Sequence, residues 1–269
     1  MPPPLPISNS AVERLGRRLA AHEDASDEDR ELLLQVLSAY SVALVEVQER
    51  LRAAGFEPTS REKTTDTLVQ KLRRERSNLR SVQDIAGARI TLRAGGRREQ
   101  DIAVEHVRGL FLDGLRPPRV RDRRTEPSAG YRAVHVVVTC QGLPVEIQVR
   151  TQYQDRWAQV VERLGDLWGR GIRYGEPPEE PERVVVGATT RRQVWELVEE
   201  LSETIDEWER VQAQAAPLLE AVAQLLPAGP SAVVDERATV QQALATSEGM
   251  LSRSLAGLAA LVDRLEEDR

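Results

Sequence analysis

Two carboxylates of the chain occupy positions that suggest a chemical role. Glu146 interrupts the apolar segment LPVEIQVRT (143–151), and Asp84 begins the segment DIAGARITLR (84–93). A carboxylate in a strand that otherwise favours burial usually has a polar partner or binds a metal. Two such carboxylates could hold one Mg²⁺, leaving its other positions to phosphate and water, and one could deprotonate a hydroxyl nucleophile. The pair predicts a metal-assisted transfer site, and the alternative is two ordinary exposed strand residues.

Tyr131 and His135 add an aromatic ring and an imidazole upstream of Glu146. Tyr131 follows Gly130 at the end of a basic loop, a position that suits stacking on a nucleobase. His135 is predicted on the same strand face, four residues further along. The alternative is a structural role for both, as a packed aromatic ring and a histidine satisfied by hydrogen bonds.

The net charge of −6 hides an uneven distribution. Residues 61–98 contain eleven Lys and Arg against four Asp and Glu, whereas residues 176–269 contain eight against nineteen. Arg61, Lys63 and Lys71 lie around the start of a predicted helix, whose free N–H groups and dipole favour phosphate oxygens. This basic centre indicates a bound anion such as a polyphosphate rather than general nucleic-acid affinity. The alternative is a solvated charged face.

The elements that must position these residues follow from the spacing of apolar side chains. The segments 134–140 and 143–151 are rich in Val and Ile and flank Gln141-Gly142, which predicts a β-hairpin. The remaining pattern predicts strands at 56–61 and 84–93, and helices at 10–22, 27–54, 64–76, 99–113 and 152–169.

The segment EPPEEPE at 176–182 predicts a linker, after which the pattern is helical only. Apolar residues recur at spacings of three and four in 194–211 and 244–265, which predicts a helical hairpin. We expect this hairpin to pack on the core, or to mediate homo-oligomerisation or binding of a partner protein. The predicted organisation is a tail and helix at 1–29, a domain at 30–175, the linker, and a helical extension at 183–269.

Composition limits the class of protein. The chain is 41% hydrophobic and 30% charged, which is typical of globular proteins. Its apolar runs are far shorter than the ~18 residues that span a membrane, and its N-terminus lacks a signal-peptide pattern. A single cysteine, Cys140, excludes an internal disulfide and is typical of a reducing compartment. We expect a cytoplasmic protein without membrane association.

Five motifs, in their order along the chain, resemble the RelA/SpoT-type alarmone synthetase domain. They are Arg61-x-Lys63, Lys71, DIAGAR at 84–89, GYRAVH at 130–135 and VEIQVRT at 145–151. The resemblance implies an α+β fold with a nucleotidyltransferase-like mixed β-sheet flanked by helices. Such proteins transfer the β,γ-pyrophosphate of ATP to a ribose 3′-hydroxyl, typically of GDP or GTP, to make (p)ppGpp and release AMP.

The resemblance also implies roles on the ATP side. Arg61 and Arg89 would sandwich the adenine, and Lys63 and Lys71 would bind the ATP phosphates. Pyrophosphoryl transfer needs charge neutralisation and alignment more than covalent catalysis, so a set of cations fits this chemistry.

Further roles are implied for the metal and the acceptor. Asp84 and Glu146 would bind Mg²⁺, and Glu146 would also be the base for the 3′-hydroxyl. Tyr131 would stack on the acceptor base, and His135 would contact its phosphates or the transferred group. The acceptor side would also be shaped by Gln148 and Arg150.

One departure from the family pattern leaves the acceptor open. Family members commonly carry a lysine just before the Gly-Tyr pair, whereas this chain has EPSAGY at 126–131, and Arg123 and Arg124 are candidates to replace it. An adenosine nucleotide or the tRNA 3′ end is an alternative acceptor, although the acidic C-terminal region disfavours tRNA. A nucleotide-binding regulator without turnover is a third hypothesis, and the presence of both Asp84 and Glu146 argues against it.

Overall fold

The computed structural model describes residues 8–21, 26–62, 65–75, 79, 82, 85–225 and 231–268. The chain forms two compact units made of interleaved segments. The first comprises Met1–Thr91, Ile102–Arg121 and Val134–Val149, and the second comprises Leu92–Asp101, Asp122–Ala133 and Arg150–Arg269. Each unit combines segments that are not consecutive in sequence. The units therefore do not test the predicted domain boundaries, which stay predictions.

A five-stranded mixed sheet flanked by helices makes up most of the first unit. Its elements are α1 (Asn9–Ala21), α2 (Asp27–Ala53), β1 (Thr59–Glu62), α3 (Thr65–Glu75), β2 (Ala86–Leu92), α4 (Arg97–Leu110), β3 (Arg119–Asp122), β4 (Val134–Cys140) and β5 (Leu143–Thr151). The strand order is β1-β2-β5-β4-β3. The ends of β2, β3 and β5 and the first turn of α4 belong to the second unit. The predicted α+β class is confirmed.

Helix α2 supplies much of the core of the first unit. Ser26 caps it by accepting a hydrogen bond from the Asp29 backbone N–H at 3.1 Å, and Gly55, with φ of 87°, follows its end. The buried apolar stripe of α2 consists of Leu33, Val36, Tyr40, Ala43, Leu44, Val47 and Leu51. Among the described helices, α2 is also long and apolar enough to cross a membrane. That is weak evidence of a span, because core helices pass the same test.

The predicted hairpin is present as β4 and β5. Gln141 and Gly142 form its two-residue turn, and both have positive φ, 50° and 78°, as a type I′ turn requires. Strand β4 begins at Val134, so Tyr131 lies outside the strand. The prediction that Tyr131 and His135 share a strand face is therefore wrong.

Three helices dominate the second unit. Its remaining elements are α5 (Gln152–Trp168), a 3₁₀ helix (Arg170–Tyr174), β6 (Val184–Val186), β7 (Thr189–Thr190), α6 (Arg191–Leu225) and α7 (Ser231–Glu267). Helices α5, α6 and α7 pack on one another around buried Trp157, Leu164, Val198 and Leu255. The helical hairpin predicted for the C-terminal region is present, and it packs against α5.

The segment after the predicted linker is not helical throughout. Val184–Val186 and Thr189–Thr190 pair as a small antiparallel sheet, with Gly187 in the turn at a φ of 57°. The prediction of helix alone was wrong here. Consecutive β-branched residues favour extended backbone, and a run of three is too short to show a period.

Candidate active site

The two faces of the sheet in the first unit differ in polarity. Alternate residues of β2, β4 and β5 are apolar and at most 4% exposed: Ala86, Ala88, Ile90, Val134, Val136, Val138, Cys140, Leu143, Val145, Ile147 and Val149. Because side chains alternate between the two sides of a strand, the intervening residues share the opposite face. This face, called the polar face below, carries Arg89, His135, Glu146 and Gln148.

His135, Glu146 and Gln148 form a hydrogen-bonded cluster on the polar face. His135 is paired with Gln148 across the hairpin, and Glu146 is its diagonal neighbour. Nδ1 of His135 lies 3.0 Å from Oε1 of Glu146, and Nε2 of Gln148 donates to Oε2 of Glu146 at 3.0 Å. The structure thus brings together three residues that the sequence predicted for the site.

The cluster is sheltered yet reachable from solvent. The side chains of His135 and Glu146 are 11% and 13% exposed, and Gln148 is 6% exposed. Low local polarity strengthens the hydrogen bonds that the Glu146 carboxylate accepts, and these bonds fix its orientation. A carboxylate offers two oxygens with about four lone-pair sites for hydrogen bonds, a proton or a cation. The arrangement can therefore accept a proton or contribute to binding a cation.

The two arginines predicted to sandwich adenine belong to neighbouring strands, and Arg89 lies on the polar face. Strands β1 and β2 pair antiparallel, with Arg61 opposite Gly87 and Thr59 opposite Arg89. In the backbone register, Arg61 and Arg89 are therefore diagonal neighbours. Gly87 places no side chain between them. Since only the backbone of Arg61 is described, the sandwich itself stays a prediction.

Three other predicted residues are not tested by the structure. Lys63 and Asp84 lie outside the described residues. Lys71 lies in α3, and its side chain is also outside the described part. The phosphate-binding and metal-binding roles of these residues stay predictions.

Tyr131 lies in the second unit, on a tight loop. Ser128 and Tyr131 exchange two backbone hydrogen bonds of 3.0 and 3.3 Å, and between them Ala129 and Gly130 have positive φ of 50° and 77°. This turn interrupts extended backbone, so Tyr131 cannot continue β4. A Cβ atom on Gly130 would lie 2.9 Å from the Trp157 ring. Glycine is needed here both for the backbone angle and for the close approach.

Arg150 supports Tyr131 from within the second unit. Its guanidinium carbon lies 5.0 Å from the Tyr131 ring centroid, and its Nη2 donates to the Tyr131 hydroxyl at 3.1 Å. Its Nη1 donates to Asp155 at 3.0 Å, and its side chain is fully buried. Arg150 can therefore shape an acceptor site through Tyr131, while it has no exposed surface for direct contact.

Arg124, a candidate to replace the missing lysine, is engaged within the second unit. Its guanidinium is 10% exposed and pairs with Asp122 at 2.6 Å and with Asp101 at 2.7 Å. Burial alone would raise the pKa of Asp122, but the hydrogen bonds from Arg124 outweigh burial and lower it. In this arrangement Arg124 is not available to an acceptor phosphate. Arg123 stays a candidate.

Glu209 of α6 is a buried carboxyl that the sequence pattern did not single out. It is fully buried, and it accepts hydrogen bonds from the Thr151 hydroxyl and, at 2.8 Å, from Nε2 of Gln154. Burial raises the pKa of Glu209, and these hydrogen bonds oppose the rise. Thr151 and Gln154 form the capping box that begins α5, so Glu209 joins α6 to the start of α5.

Comparisons with known proteins show the family to which the chain belongs. A family profile described as "Region found in RelA / SpoT proteins" matches residues 60–164. An uncharacterized protein of Mycobacterium tuberculosis is 40% identical over 201 residues, which cover 72% of this chain and 70% of the relative. This level of identity over this share of both chains shows a common family. The chain belongs to the family of proteins that carry the RelA/SpoT region, and the matched region contains every site residue predicted from the sequence.

Solved structures of small alarmone synthetases are also similar to this chain. The crystal structure of small alarmone synthetase 1 from Bacillus subtilis is 21% identical, covers 68% of this chain and 94% of its own, and has a TM-score of 0.49. The structure of the same synthetase bound to its product pppGpp is 24% identical, covers 66% and 93%, and has a TM-score of 0.48. At these scores the likeness carries no weight for function.

Proposed function

We propose that the chain is an ATP-dependent pyrophosphokinase that transfers the β,γ-pyrophosphate of ATP to the ribose 3′-hydroxyl of GDP or GTP. Its products would be AMP and (p)ppGpp. Membership of the RelA/SpoT family supports a pyrophosphokinase-type transferase in general. The observation that carries the proposal is the cluster of His135, Glu146 and Gln148 on the polar face, with Arg89 on the adjacent strand.

In the proposed reaction, Glu146 takes the proton of the 3′-hydroxyl. The hydroxyl oxygen forms a bond to the β-phosphorus of ATP, the bond from that phosphorus to the α,β-bridging oxygen breaks, and AMP leaves with the electron pair. Gln148 holds the Glu146 carboxylate in place, and His135 adds a second hydrogen bond to it. Positioned general bases contribute about 10²–10⁴-fold to rate. Arg89 lies on the same face, and it is proposed to contact the adenine of the donor.

A Mg²⁺ ion is proposed as the cofactor, bound by Glu146 and Asp84. Carboxylate oxygens are the ligands that Mg²⁺ prefers, and it usually takes only one or two of them, with phosphate and water completing the shell. Glu146 lies on a polar surface and fits this chemistry. Substrate phosphates are expected to contribute the remaining ligands. When bound, the metal would neutralise charge on the transferred group.

The acceptor half of the proposal depends on Tyr131. Its ring is half-buried and braced by Arg150, and a braced ring is a suitable platform for a purine base. Stacking does not distinguish one base from another. GDP and GTP are therefore proposed because of the family, and an adenosine nucleotide or the tRNA 3′ end is the alternative acceptor.

An acceptor panel tests the proposal. Purified protein is incubated with labelled ATP, Mg²⁺ and one of GDP, GTP, AMP, ADP or deacylated tRNA, and AMP release is followed. We expect release that depends on GDP or GTP. Release that depends on ADP, AMP or tRNA would move the proposal to that acceptor. If every acceptor gives the background rate, the chain is a binding protein without turnover.

Self-association through the C-terminal helices stays a prediction, and α6 and α7 offer positions at which to test it. They line an apolar groove of about 1010 Å³, with Leu197 and Met250 at its wall, 52% and 58% exposed. We expect Met250→Lys to reduce the mass measured by light scattering. Leu115→Lys, at a 74% exposed site outside the groove, is the matched control. A wild-type protein that scatters as a monomer would contradict the prediction.

A further inference from the structure

Helix α6 makes direct contact with the loop that carries Tyr131. The Ser202 hydroxyl donates a hydrogen bond to the backbone carbonyl of Gly130, the residue before Tyr131. Ser202 is 3% exposed and lies on the buried side of α6, so water competes little for this bond. The contact joins residues 72 positions apart in sequence, within the second unit.

Arg132 fixes the other side of Tyr131. Its side chain is 7% exposed. Its Nη1 donates to the Arg124 carbonyl at 3.0 Å, which closes the loop on itself, and its Nε donates to the Ser202 carbonyl at 3.4 Å. Asp206 lies 3.8 Å from the same Nε. Nη2 of Arg132 also donates to Glu203 of α6 at 3.4 Å. The residues before and after Tyr131 are therefore both bonded to α6, and Ser202 bonds to both of them.

The same part of α6 is fixed against α5. Nε1 of Trp157, whose ring lies under Gly130, donates to the Val198 carbonyl at 2.7 Å. Glu209, three turns further along α6, accepts the hydrogen bonds from the capping box of α5 described above. Helix α6 is thus held at both ends of the stretch that contacts the loop, and it can act as a rigid support.

We infer that α6 positions Tyr131 and that Ser202 and Arg132 are the residues through which it does so. The inference rests on the proposed function, because Tyr131 is taken as the platform for the acceptor base. A loop already ordered by α6 loses little conformational entropy when the acceptor binds, which strengthens acceptor binding. None of these contacts involves a residue that is assigned to ATP binding. The C-terminal helices, which lie beyond the matched region 60–164, would therefore tune the acceptor KM.

Ser202→Ala tests this inference with little disturbance. It removes the hydroxyl and keeps a good helix former of similar size. Thr204→Ala is the matched control, because Thr204 lies two residues away, is exposed, and donates only to the Glu200 carbonyl of its own helix. Arg132→Gln, which weakens the hold on the other side of Tyr131, is the second variant.

The first readout is hydrogen exchange of the backbone amides at 128–132, which does not depend on activity. We expect faster exchange in Ser202→Ala and Arg132→Gln, by about fivefold for the loss of one hydrogen bond, and no change in Thr204→Ala. Equal exchange in Ser202→Ala and Thr204→Ala would overturn the inference.

The second readout compares the KM for the acceptor with the KM for ATP. We expect Ser202→Ala to raise the acceptor KM by about fivefold while the ATP KM and kcat stay at their wild-type values. An equal rise in both KM values, or an unchanged acceptor KM, would overturn the positioning role. If the wild-type protein transfers no pyrophosphate to any acceptor, the proposed function fails and the positioning of an acceptor fails with it. The exchange experiment still decides whether α6 holds the loop.

Discussion

The cluster around Glu146 and the loop that carries Tyr131 are built from different kinds of contact. His135, Glu146 and Gln148 lie on two neighbouring strands joined by a two-residue turn, and their contacts follow from the strand register. The Tyr131 ring is braced by Arg150, and the loop that carries it is bonded to a helix far along the chain through Ser202. The comparison indicates that the residues assigned to chemistry are held locally, whereas the residue assigned to the acceptor is held at long range. Changes in the two regions should therefore have separable effects.

The largest effect is expected from Glu146→Gln. The amide keeps the size of the side chain but cannot take the hydroxyl proton, so kcat should fall by about 10²–10⁴-fold. Glu49→Gln, an exposed carboxylate on α2, is the control and should leave kcat unchanged. Circular dichroism would check that both variants are folded. Equal rates in the two variants would end the assignment of Glu146 as the base.

Gly130→Ala should destabilise the loop that carries Tyr131. The positive φ of Gly130 and the proximity of Trp157 make a Cβ atom costly, so we expect the free energy of unfolding to fall by about 1–3 kcal/mol in urea titrations. The acceptor KM should rise as well. Gly257→Ala in α7, where a Cβ meets nothing within 4 Å, is the control and should be neutral or slightly stabilising. A Gly130→Ala variant as stable as the control would show that the loop adapts.

Gln148→Ala should affect the cluster around Glu146 without affecting the loop that carries Tyr131. It removes the amide that donates to Glu146 at 3.0 Å, and the loss of one charged hydrogen bond is expected to lower kcat by about tenfold. The acceptor KM should change little, because Tyr131 and its loop are held by Arg150 and Ser202 rather than by Gln148. An effect confined to the acceptor KM would instead place Gln148 with the acceptor, as the family resemblance implies.

The smallest effect is expected in the pH dependence of the free energy of unfolding, through Glu209 of α6. Burial raises the folded-state pKa of Glu209 above its ordinary value of 4.5. As pH rises above about 4.5, the unfolded state loses this proton first, so the contribution of Glu209 to stability falls until pH passes the folded pKa. Glu209→Gln has no such proton. The wild-type free energy of unfolding, minus that of Glu209→Gln, should therefore decrease from pH 4.5 to pH 7.5, and a constant difference would contradict the raised pKa.

The hairpin could be predicted because its determinants are local. Alternating Val and Ile fix the faces of β4 and β5, and Gln141-Gly142 fixes the turn and hence the register. Once the register is known, His135 and Glu146 must be diagonal neighbours. The sequence therefore predicted the hairpin that carries His135 and Glu146, although it placed Tyr131 wrongly on the same strand, and the structure adds the register and the distances.

The support of the Tyr131 loop could not be predicted in the same way. Ser202 and Glu209 lie in an acidic helix whose polar residues look like an ordinary solvated face. Whether such a residue is buried depends on which elements pack beside it, and that is decided by tertiary contacts. The pairing of Arg124 could not be predicted for the same reason, since its partner Asp101 is far from it in sequence. The sequence shows that Gly130 ends a loop, but it does not reveal that Trp157 approaches Gly130.

The most direct test of the account asks which bond of ATP is broken. Two reactions with GDP and Mg²⁺ are compared, one with ATP labelled at the α-phosphate and one with ATP labelled at the γ-phosphate. Pyrophosphate transfer predicts that the α-label appears in AMP and the γ-label in a new guanosine nucleotide, in equal amounts, and that Glu146→Gln suppresses both. An α-label that appears in ADP, or a γ-label released as free phosphate, would contradict the account.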